Sequence, residues 1–582
     1  MKFDDILSTV GEFGRYQIII FLLVCVFTIP NAFHSIGIVF IGGAADHWCA
    51  VPEWQGENCS SWSLDPAECA AAKRAASIPP ESNTTNSSKL SQCAMYNVSA
   101  SPFVLTPLPE HGSSTYSSLS TVAPFSFDDF HSRDVIPCSS GWEHDRSTYA
   151  STINMDFNLV CKNEDLTDVA SILWFVGVLL GSIACGFTSD IFGRCFTMWV
   201  TNAILVIVGI ATAFSPNFWT FVVLRMIIAM ANTGAFISCF VLGTEFVGPS
   251  KRVLVGNGPM VSFSIGYVVL SLLAYLIRDW RHLQLAISIP LVGLFVLVPF
   301  FPESARWLMS RGKIERASSV IRKVAKTNKV KLPDPIFSES DIKEMKEGEK
   351  KGNITDLFRT PNLCKESFNL MFNWAVESLV YYGLSLSSAD FGVNVYVSAF
   401  VSGAVEIPAY ISSVFALEYF GRRRSTCGYL LLAGIACIIA IFCPPGPLRA
   451  TFAMIGKFGV SASFGIIYIY TAELYPTPVR TVGLGVCSMA SRIGGILAPT
   501  IRILGRTWKP LPSIIFGLSS VSAGLLALLL PETRGRKLPE TIEEGENLRN
   551  SPPLDTYVEV PTKDMQNMNG TKVEAKTDNG VA

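Results

Sequence analysis

Long hydrophobic runs separated by short polar segments dominate this 582-residue chain. Each run holds about 20 residues, enough for a helix to cross about 30 Å of hydrocarbon. The runs lie at residues 16–41, 167–188, 196–214, 219–241, 253–276, 283–301, 368–388, 395–417, 427–443, 449–470, 482–504 and 511–530. A long polar segment follows the first run, and another follows the sixth. The pattern predicts an all-α membrane protein with twelve transmembrane helices in two six-helix halves.

Short motifs repeat between the two halves at one constant spacing of 228 residues. The related positions are Asp190-Ile-Phe-Gly-Arg194 with Glu418-Tyr-Phe-Gly-Arg422, Glu245 with Glu473, and Arg252 with Arg480. One unit of about 230 residues was therefore used twice, as in transporters that hold their substrate between two repeats. The repeat also supports the second, fourth and eleventh runs, which carry polar or charged residues.

The runs divide the chain into six segments. They are 1–41 (amino terminus and helix 1), 42–165 (large loop), 166–301 (helices 2–6), 302–367 (second loop), 368–530 (helices 7–12) and 531–582 (tail). The first run could be a cleaved signal peptide, but Asp4, Asp5 and Glu12 stand where a signal carries basic residues, so we expect a retained helix. The polar tail is expected to be disordered.

Basic residues predict the orientation. Arg194 and Arg480 fall in alternate short loops, and the 302–367 segment holds fifteen Lys and Arg. The positive-inside rule then places these loops and both termini in the cytoplasm. We expect a protein of the plasma membrane. Arg278 and Arg281 are exceptions, because they fall on the opposite side.

The 42–165 segment is predicted to lie outside the cell, and its residues agree with that location. Glycosylation sequons occur at Asn58, Asn83, Asn86 and Asn97. Six of the fifteen cysteines are in the same loop, at Cys49, Cys59, Cys69, Cys93, Cys138 and Cys161. We expect three disulfides there, although six cysteines allow 15 pairings.

Other classes of protein are poorly supported. The net charge is -1 and only 16% of the residues are charged, so nothing indicates nucleic acid binding. The chain has no nucleotide-binding loop, metal-ligand cluster or nucleophile–base motif. We therefore expect neither an enzyme, nor a cofactor, nor direct use of ATP.

Opposite charges at the predicted cytoplasmic helix ends suggest a gate. The candidates are Asp190/Arg194, Glu245/Arg252, Glu418/Arg422 and Glu473/Arg480. We predict a charge latch that is closed when the site faces outward and broken when it faces inward. The alternative is a set of ordinary charged residues at the membrane edge.

Several of these motifs resemble a known family. They are Gly186-Phe-Thr-Ser-Asp-Ile-Phe-Gly-Arg194, Arg278-Asp-Trp-Arg281, Pro302-Glu-Ser-Ala-Arg-Trp307 and Glu473-Leu-Tyr-Pro-Thr477. Over residues 1 to about 545 the chain resembles the solute carrier 22 family of organic ion transporters, within the major facilitator superfamily. The 456–477 segment is most similar to the organic cation/carnitine branch. The resemblance implies a monomeric transport unit that works by alternating access.

Arg492 is a charged residue within the eleventh run, where burial is costly and usually serves a function. Its guanidinium can hold a carboxylate through two parallel hydrogen bonds. The resemblance implies an acid at this position in purely cation-selective members and arginine in carnitine and anion transporters. The alternative is a structural ion pair with Glu406 or Glu377.

Glu406 and Glu377 are candidate substrate ligands in the eighth and seventh runs. The resemblance implies a lysine in place of Tyr410 in anion transporters. It implies an acid equivalent to Glu377 in cation transporters but usually not in carnitine transporters, which argues against a function limited to carnitine. Aromatic faces attract quaternary ammonium groups, and the candidates are Phe236, Trp374, Tyr381, Phe464, Tyr468 and Tyr470. The alternative for each of these aromatic residues is that it packs against other helices or lipid and does not contact the substrate. Two acids, one base and these rings favour a cation or zwitterion over a dianion.

Asn31 and Asn232 are polar residues within the first and fourth runs. By resemblance to sodium-coupled members, their carbonyl oxygens would bind Na+ as a coupling ion. Hydrogen bonds between helices are the alternative.

The sequence thus predicts uptake of a small organic cation or zwitterion, with carnitine or a related betaine as the first candidate. An organic anion exchanger is the main alternative. A receptor or scaffold that does not transport is a further one, but intact motifs in both halves argue against it.

Overall fold

The computed structural model describes residues 3–51, 74, 77–79, 90–97, 134–248, 251–332, 336–337, 353–536 and 538–550. Cys59, Cys69, Asn58, Asn83, Asn86 and the tail after residue 550 lie outside these ranges. Helices dominate the described part, as the hydrophobic runs predict.

Twelve helical spans are present in the described ranges. Span 1 is Arg15–Ile36 continued by Ile38–Ile41, span 2 Leu166–Phe192, span 3 Arg194–Ala213, span 4 Phe218–Glu245, span 5 Arg252–Leu276, span 6 Trp280–Ser288 followed by Pro290–Leu297, span 7 Pro361–Leu386, span 8 Val395–Tyr419, span 9 Arg422–Phe442, span 10 Pro447–Leu474, span 11 Arg480–Thr507 and span 12 Leu511–Ala527. Ten of them are long and apolar enough to cross a membrane. Span 7 carries many polar side chains, and span 12 has only 17 residues.

Shorter elements lie at the two ends of the bundle. The helices are Phe3–Val10, Ile153–Asp156, Ala305–Ser310, Ile314–Asn328 and Ile542–Glu546. The strands are β1 (His47–Cys49), β2 (Ala94–Tyr96), β3 (Val135–Pro137) and β4 (Trp142–His144). β1 pairs with β4 and β2 with β3, both antiparallel. We call the end that carries these strands the loop side, and the opposite end the terminal side.

Spans 1–6 and spans 7–12 form two bundles that meet along two lines. Span 5 packs against span 8, and span 2 packs against span 11. The repeat predicted two halves, and these two contacts leave the inner faces of spans 1, 4, 7 and 10 between the halves. Any site shared by the halves lies on those faces.

The loop side is closed by contacts between the halves. Asp168, at the start of span 2, is buried and pairs with two arginines near the end of span 11. Its Oδ1 lies 3.4 Å from Arg502 Nη1, and its Oδ2 lies 2.6 Å from Arg506 Nη2. Tyr396 of span 8 stacks on Phe40 of span 1, with 5.8 Å between the ring centroids.

The two arginines on the unexpected side of the bundle attach the large loop to it. Arg278 Nη1 donates to the Ser147 carbonyl at 3.2 Å. Arg281 Nε lies 3.3 Å from Asp156 Oδ2, and Trp280 Nε1 donates to the same oxygen at 2.9 Å. Both charged side chains are therefore used in local contacts between the large loop and the bundle.

Four of the six loop cysteines are paired in the described ranges. Cys49 is bonded to Cys138, and Cys93 to Cys161. The sequence had left the pairing open. Asn97 lies at the end of β2, where its backbone N–H donates to the Asp134 carbonyl at 2.9 Å.

Gly494 of span 11 packs directly against the backbone of span 7, and we expect Gly494→Val to prevent correct folding. A Cβ at Gly494 would lie 2.0 Å from the Ala375 carbonyl oxygen, which belongs to a backbone that cannot yield locally. We expect a loss of about 3 kcal/mol or more of stability, as overpacking typically costs 1–3 kcal/mol and this contact involves backbone.

The measurement is the amount of monodisperse protein extracted from membranes. Gly485→Val is the matched control, because a Cβ at Gly485 of the same helix meets nothing within 4 Å. Equal yields for the two variants would contradict the prediction.

Candidate substrate-binding site

An aromatic cluster lies on the inner faces of spans 7 and 10. Trp374 and Tyr468 have ring centroids 4.3 Å apart, and Phe464 lies 5.6 Å from Tyr468. Tyr381 joins the cluster through Phe464, at 5.9 Å. These four are predicted site residues, and helical spacing brings them together: Trp374 and Tyr381 are seven residues apart on span 7, and Phe464 and Tyr468 four apart on span 10.

The aromatic cluster also reaches the first half. Phe240 of span 4 lies 6.4 Å from Tyr468 and 6.2 Å from the predicted residue Phe236. Phe175 of span 2 packs edge-on against Tyr382 of span 7, at 4.6 Å. Both halves therefore contribute rings to one central region, as a site between the repeats requires.

Glu377 brings an acid to the aromatic cluster. It is fully buried, and Ser463 Oγ donates to its Oε1 at 2.5 Å. Its Oε2 has no hydrogen-bond partner among the described residues. No lysine or arginine in those ranges forms an ion pair with this carboxylate. A buried acid without a base is costly, so it is a strong candidate for binding a cation.

Arg492 brings an equally unpaired base. It is half-buried on span 11, and its Nε has no hydrogen-bond partner in the part of the chain that the structure describes. It lies close enough to Tyr382 and Tyr468 to interact electrostatically with both. Neither Glu377 nor Glu406 pairs with it, so the alternative of a structural ion pair is wrong for this conformation.

Glu406 is paired with a residue that the sequence reasoning missed. Lys457 Nζ lies 3.0 Å from Glu406 Oε1, and Ser264 Oγ donates to Glu406 Oε2 at 2.8 Å. Both charged side chains are fully buried. The prediction of a single buried base is therefore wrong. Lys457 could have been found, because it is a charged residue within the tenth hydrophobic run.

A second missed charge lies inside the first half. Arg225 of span 4 is buried and donates from Nη1 to the His34 carbonyl at 3.1 Å. Its guanidinium stacks 4.3 Å from the centre of the Trp174 ring. It joins spans 1, 2 and 4, which gives it a place in the packing of this half.

Tyr470 does not lie at the aromatic cluster. Its side chain is fully buried, and its hydroxyl donates to the Pro531 carbonyl at 2.7 Å near the terminal side. Two residues along a helix correspond to a rotation of about 200°, so Tyr470 faces away from Tyr468. The prediction that it lines the site is wrong.

The two candidate sodium ligands are close to each other across spans 1 and 4. Asn232 Nδ2 donates to Ser35 Oγ at 3.1 Å and lies 3.4 Å from the Asn31 carbonyl. Asn31 Nδ2 donates within its own helix to Phe27 O at 3.0 Å. The Oδ1 atoms of both side chains are buried without a hydrogen-bond partner in the described ranges. Two free amide oxygens fit the hard oxygen ligands that a cation needs.

The gate candidates pair partly as predicted, because Arg194 bonds to Asp190, and partly with other members of the set. Arg194 lies 3.2 Å from both Asp190 Oδ1 and Glu245 Oε1. Arg422 makes two bonds to Glu473, at 2.8 and 2.7 Å. Each pair joins helices of one half. Glu245 therefore has Arg194 as a partner, and the predicted pairing of Glu245 with Arg252 involves a side chain outside the described part of the structure.

Glu418 and Arg480 are the remaining gate candidates whose side chains the structure describes. Glu418 is exposed at the end of span 8. Arg480 donates from Nε to the Tyr475 carbonyl at 3.1 Å. Glu303 and Glu532 were not among the predicted gate residues. The Glu303 carboxylate accepts hydrogen bonds from the backbone N–H groups of Arg194 and Cys195. The Glu532 carboxylate accepts from those of Arg422 and Arg423. These carboxylates cap spans 3 and 9.

Comparison with known proteins agrees with this architecture. Residues 137–544 match the family model described as "Sugar (and other) transporter". The inward-open xylose transporter XylE from E. coli superposes with a TM-score of 0.55 and 18% identity, over 68% of this chain and 93% of that chain. At this identity the likeness shows the fold alone.

Curated relatives match over nearly the whole length. The chain is 38% identical to "Organic cation transporter protein" of Drosophila melanogaster, over 98% of this chain and 99% of the relative. It is 36% identical to "Organic cation/carnitine transporter 2" of Homo sapiens, over 93% of each chain. It is also 37% identical to human "Solute carrier family 22 member 13", over 94% of this chain and 93% of that protein.

Two six-helix halves, a central site and full-length relatives lead to one conclusion about identity. The chain is not an enzyme, and it is a multi-pass membrane protein with the major facilitator fold. It belongs to the solute carrier 22 family of secondary transporters.

Proposed function

We propose that this protein carries small zwitterions or organic cations, with carnitine-like betaines as the first candidates, across the plasma membrane. One observation carries the proposal. An acid, Glu377, and a base, Arg492, both lie beside the aromatic cluster, and neither forms an ion pair within the described ranges. Tyr468 lies within electrostatic range of both charges. Relatives named as carnitine and organic cation transporters support the same substrate class.

The arrangement suggests how a betaine would be oriented. Its quaternary ammonium cannot donate hydrogen bonds, so it is best held by ring faces and a nearby negative charge. Trp374, Phe464 and Tyr468 offer the rings, and Glu377 offers the charge. The carboxylate end would bind the guanidinium of Arg492, which offers two parallel donors.

Alternating access would use the contacts between the halves. We propose that the loop side faces the outside of the cell and that both termini are cytoplasmic. The Asp168–Arg502–Arg506 contact closes the outer side here, and it would break when the site opens outward. The pairs Arg194–Glu245 and Arg422–Glu473 are intact with the outer side closed. We therefore assign the inter-half latch to Asp168 and a stabilising role within each half to those pairs.

The substrate class is tested by uptake of labelled carnitine and tetraethylammonium in cells that express the chain, with and without sodium. We expect carnitine uptake that depends on sodium. Tetraethylammonium uptake alone would shift the substrate class to simple cations, with Glu377 as the main ligand. Uptake of neither compound above the level of untransfected cells would overturn the proposal.

Sodium coupling is proposed to depend on Asn31 and Asn232. We expect Asn232→Ala to raise the sodium concentration for half-maximal uptake about tenfold, a change of about 1.4 kcal/mol in binding free energy. The control is Asn202→Ala, because Asn202 is an equally buried asparagine that bonds within its own helix to Met198 O at 2.9 Å. An equal effect of both variants at every sodium concentration would favour helix–helix hydrogen bonding.

An organic anion exchanger is the second candidate function. The observation in its favour is the second buried base, Lys457, beside the aromatic cluster. The pairing of that base with Glu406 weighs against it. Exchange of labelled p-aminohippurate against an internal dicarboxylate, without carnitine uptake, would support this candidate.

A further inference from the structure

A fully buried ion pair, Lys457 with Glu406, lies next to Tyr381 of the aromatic cluster. Lys457 Nζ contacts Glu406 Oε1 at 3.0 Å and Ser385 Oγ at 2.5 Å, and it lies 3.3 Å from the Tyr381 carbonyl. The ammonium also lies over the Tyr381 ring, 3.2 Å from its centre. Tyr381 therefore separates this pair from Phe464 and the rest of the aromatic cluster.

The pair connects three spans and both halves. Glu406 is on span 8 and Lys457 on span 10, while Ser264 of span 5 donates to the second carboxylate oxygen. Both charged side chains are fully buried. They can therefore influence a substrate through their electric field rather than by direct contact.

The charges around the aromatic cluster balance in two sets. Glu377 and Arg492 are of opposite sign and have no ion-pair partner among the described residues, whereas Glu406 and Lys457 neutralise each other. In a medium of low dielectric constant, any single uncompensated charge acts on a bound ligand over a long range. A site with no net charge suits a zwitterion. One extra negative charge would favour cations, and one extra positive charge would favour anions.

We propose that Glu406 and Lys457 set the charge preference of the transporter, with Glu406 masking a latent anion-binding charge on Lys457. The inference rests on the proposed function and names the residues that determine its selectivity. Removing the negative charge leaves Lys457 unmasked and favours anions. Removing the positive charge leaves Glu406 unmasked and favours cations.

The size of the effect follows from distance. A unit charge about 8 Å from a monovalent ligand, at an effective dielectric constant of about 20, changes its affinity by about 30-fold. The affinity for a zwitterion changes much less, because the effects on its two ends oppose each other. Zwitterion uptake therefore serves as an internal reference.

The experiment compares Glu406→Gln, Lys457→Met and the double variant with the wild type. Uptake of tetraethylammonium, carnitine and p-aminohippurate is measured, and each rate is divided by the amount of protein at the cell surface. In Glu406→Gln we expect the ratio of cation to carnitine uptake to fall about 30-fold and the ratio of anion to carnitine uptake to rise. In Lys457→Met we expect the reverse. The double variant should return both ratios close to the wild-type values.

A purely structural ion pair makes a different prediction. Both single variants would then lower uptake of all three compounds by the same factor, and that result would overturn the proposal. If a single variant does not reach the surface, two other variants still test the proposal. They are the charge-exchanged variant, Glu406→Lys with Lys457→Glu, and the double variant, Glu406→Gln with Lys457→Met. Both of these variants are expected to keep the wild-type uptake ratios, and a changed ratio in either variant would also overturn the proposal.

The outcome for the wild type separates this inference from the proposed function. A wild-type protein that transports none of the three compounds overturns the proposed function and this inference with it. A wild-type protein that transports carnitine, with unchanged ratios in both single variants, overturns only the role of the pair.

Discussion

Replacing Arg492 with Ala should lower uptake of carboxylate-bearing zwitterions about 30-fold or more while largely sparing simple cations. Arg492 is the one unpaired base at the aromatic cluster among the described residues, and its Nε lacks a hydrogen-bond partner there. Truncation would leave the substrate carboxylate without a partner in a buried site. Such a loss typically costs about 2–5 kcal/mol, and 2 kcal/mol corresponds to about 30-fold.

Labelled carnitine and tetraethylammonium uptake in the same cells would measure the difference. Arg492→Lys is the matched control, since it keeps the charge but loses the planar pair of donors. We expect this control to retain part of the carnitine uptake. Equal loss of both substrates in Arg492→Ala would mean that the residue stabilises the protein and does not select the carboxylate.

Replacing Asp168 with Asn should open the loop side of the transporter. Asp168 is buried and is the acid that Arg502 and Arg506 share between the halves. Asparagine has the same shape but no charge, so two guanidinium groups would lose their common buried partner. Breaking a fully buried pair costs about 3–5 kcal/mol. Because the arginines are partly exposed, we expect about 2 kcal/mol, or a 30-fold shift toward the open state.

Accessibility from outside the cell measures this shift. A cysteine introduced at Tyr382, which is half-buried at the aromatic cluster, should react faster with a membrane-impermeant thiol reagent in the Asp168→Asn background. Asp165→Asn is the control, because the Asp165 side chain is 57% exposed although it also pairs with Arg506. An exposed pair contributes at most about 1 kcal/mol. Equal labelling in the two backgrounds would refute the assignment of Asp168 as the latch.

Much of the fold could be predicted from the chain because a membrane restricts the possible structures. Hydrophobic runs of about 20 residues must form helices, which satisfy their own backbone hydrogen bonds. The repeat at Asp190 and Glu418 then divides twelve helices into two equivalent halves. Spans 2, 4 and 11 carry polar or charged residues, and the repeat supported them where the hydrophobic pattern alone was weak. All three are long and apolar enough to cross a membrane.

Part of the site could also be predicted, because helical period fixes which side chains share a face. Trp374, Glu377 and Tyr381 on span 7 have spacings of three and four, and all three lie at or beside the aromatic cluster. The same rule applied to span 10 includes Lys457, seven residues before Phe464, and excludes Tyr470. Both errors at span 10 were therefore avoidable from sequence.

The sequence by itself determined the helices, the two halves and which charges must be buried, since these follow from local hydrophobicity and period. Only the tertiary structure decided the partners. Among the described residues, Glu406 pairs with Lys457 and not with Arg492, Glu245 pairs with Arg194, and Cys49 pairs with Cys138. The helical period determines which face of its own helix a side chain occupies. The residue that it contacts there belongs to another helix, which is distant in the chain. Its identity is fixed only when the spans pack together.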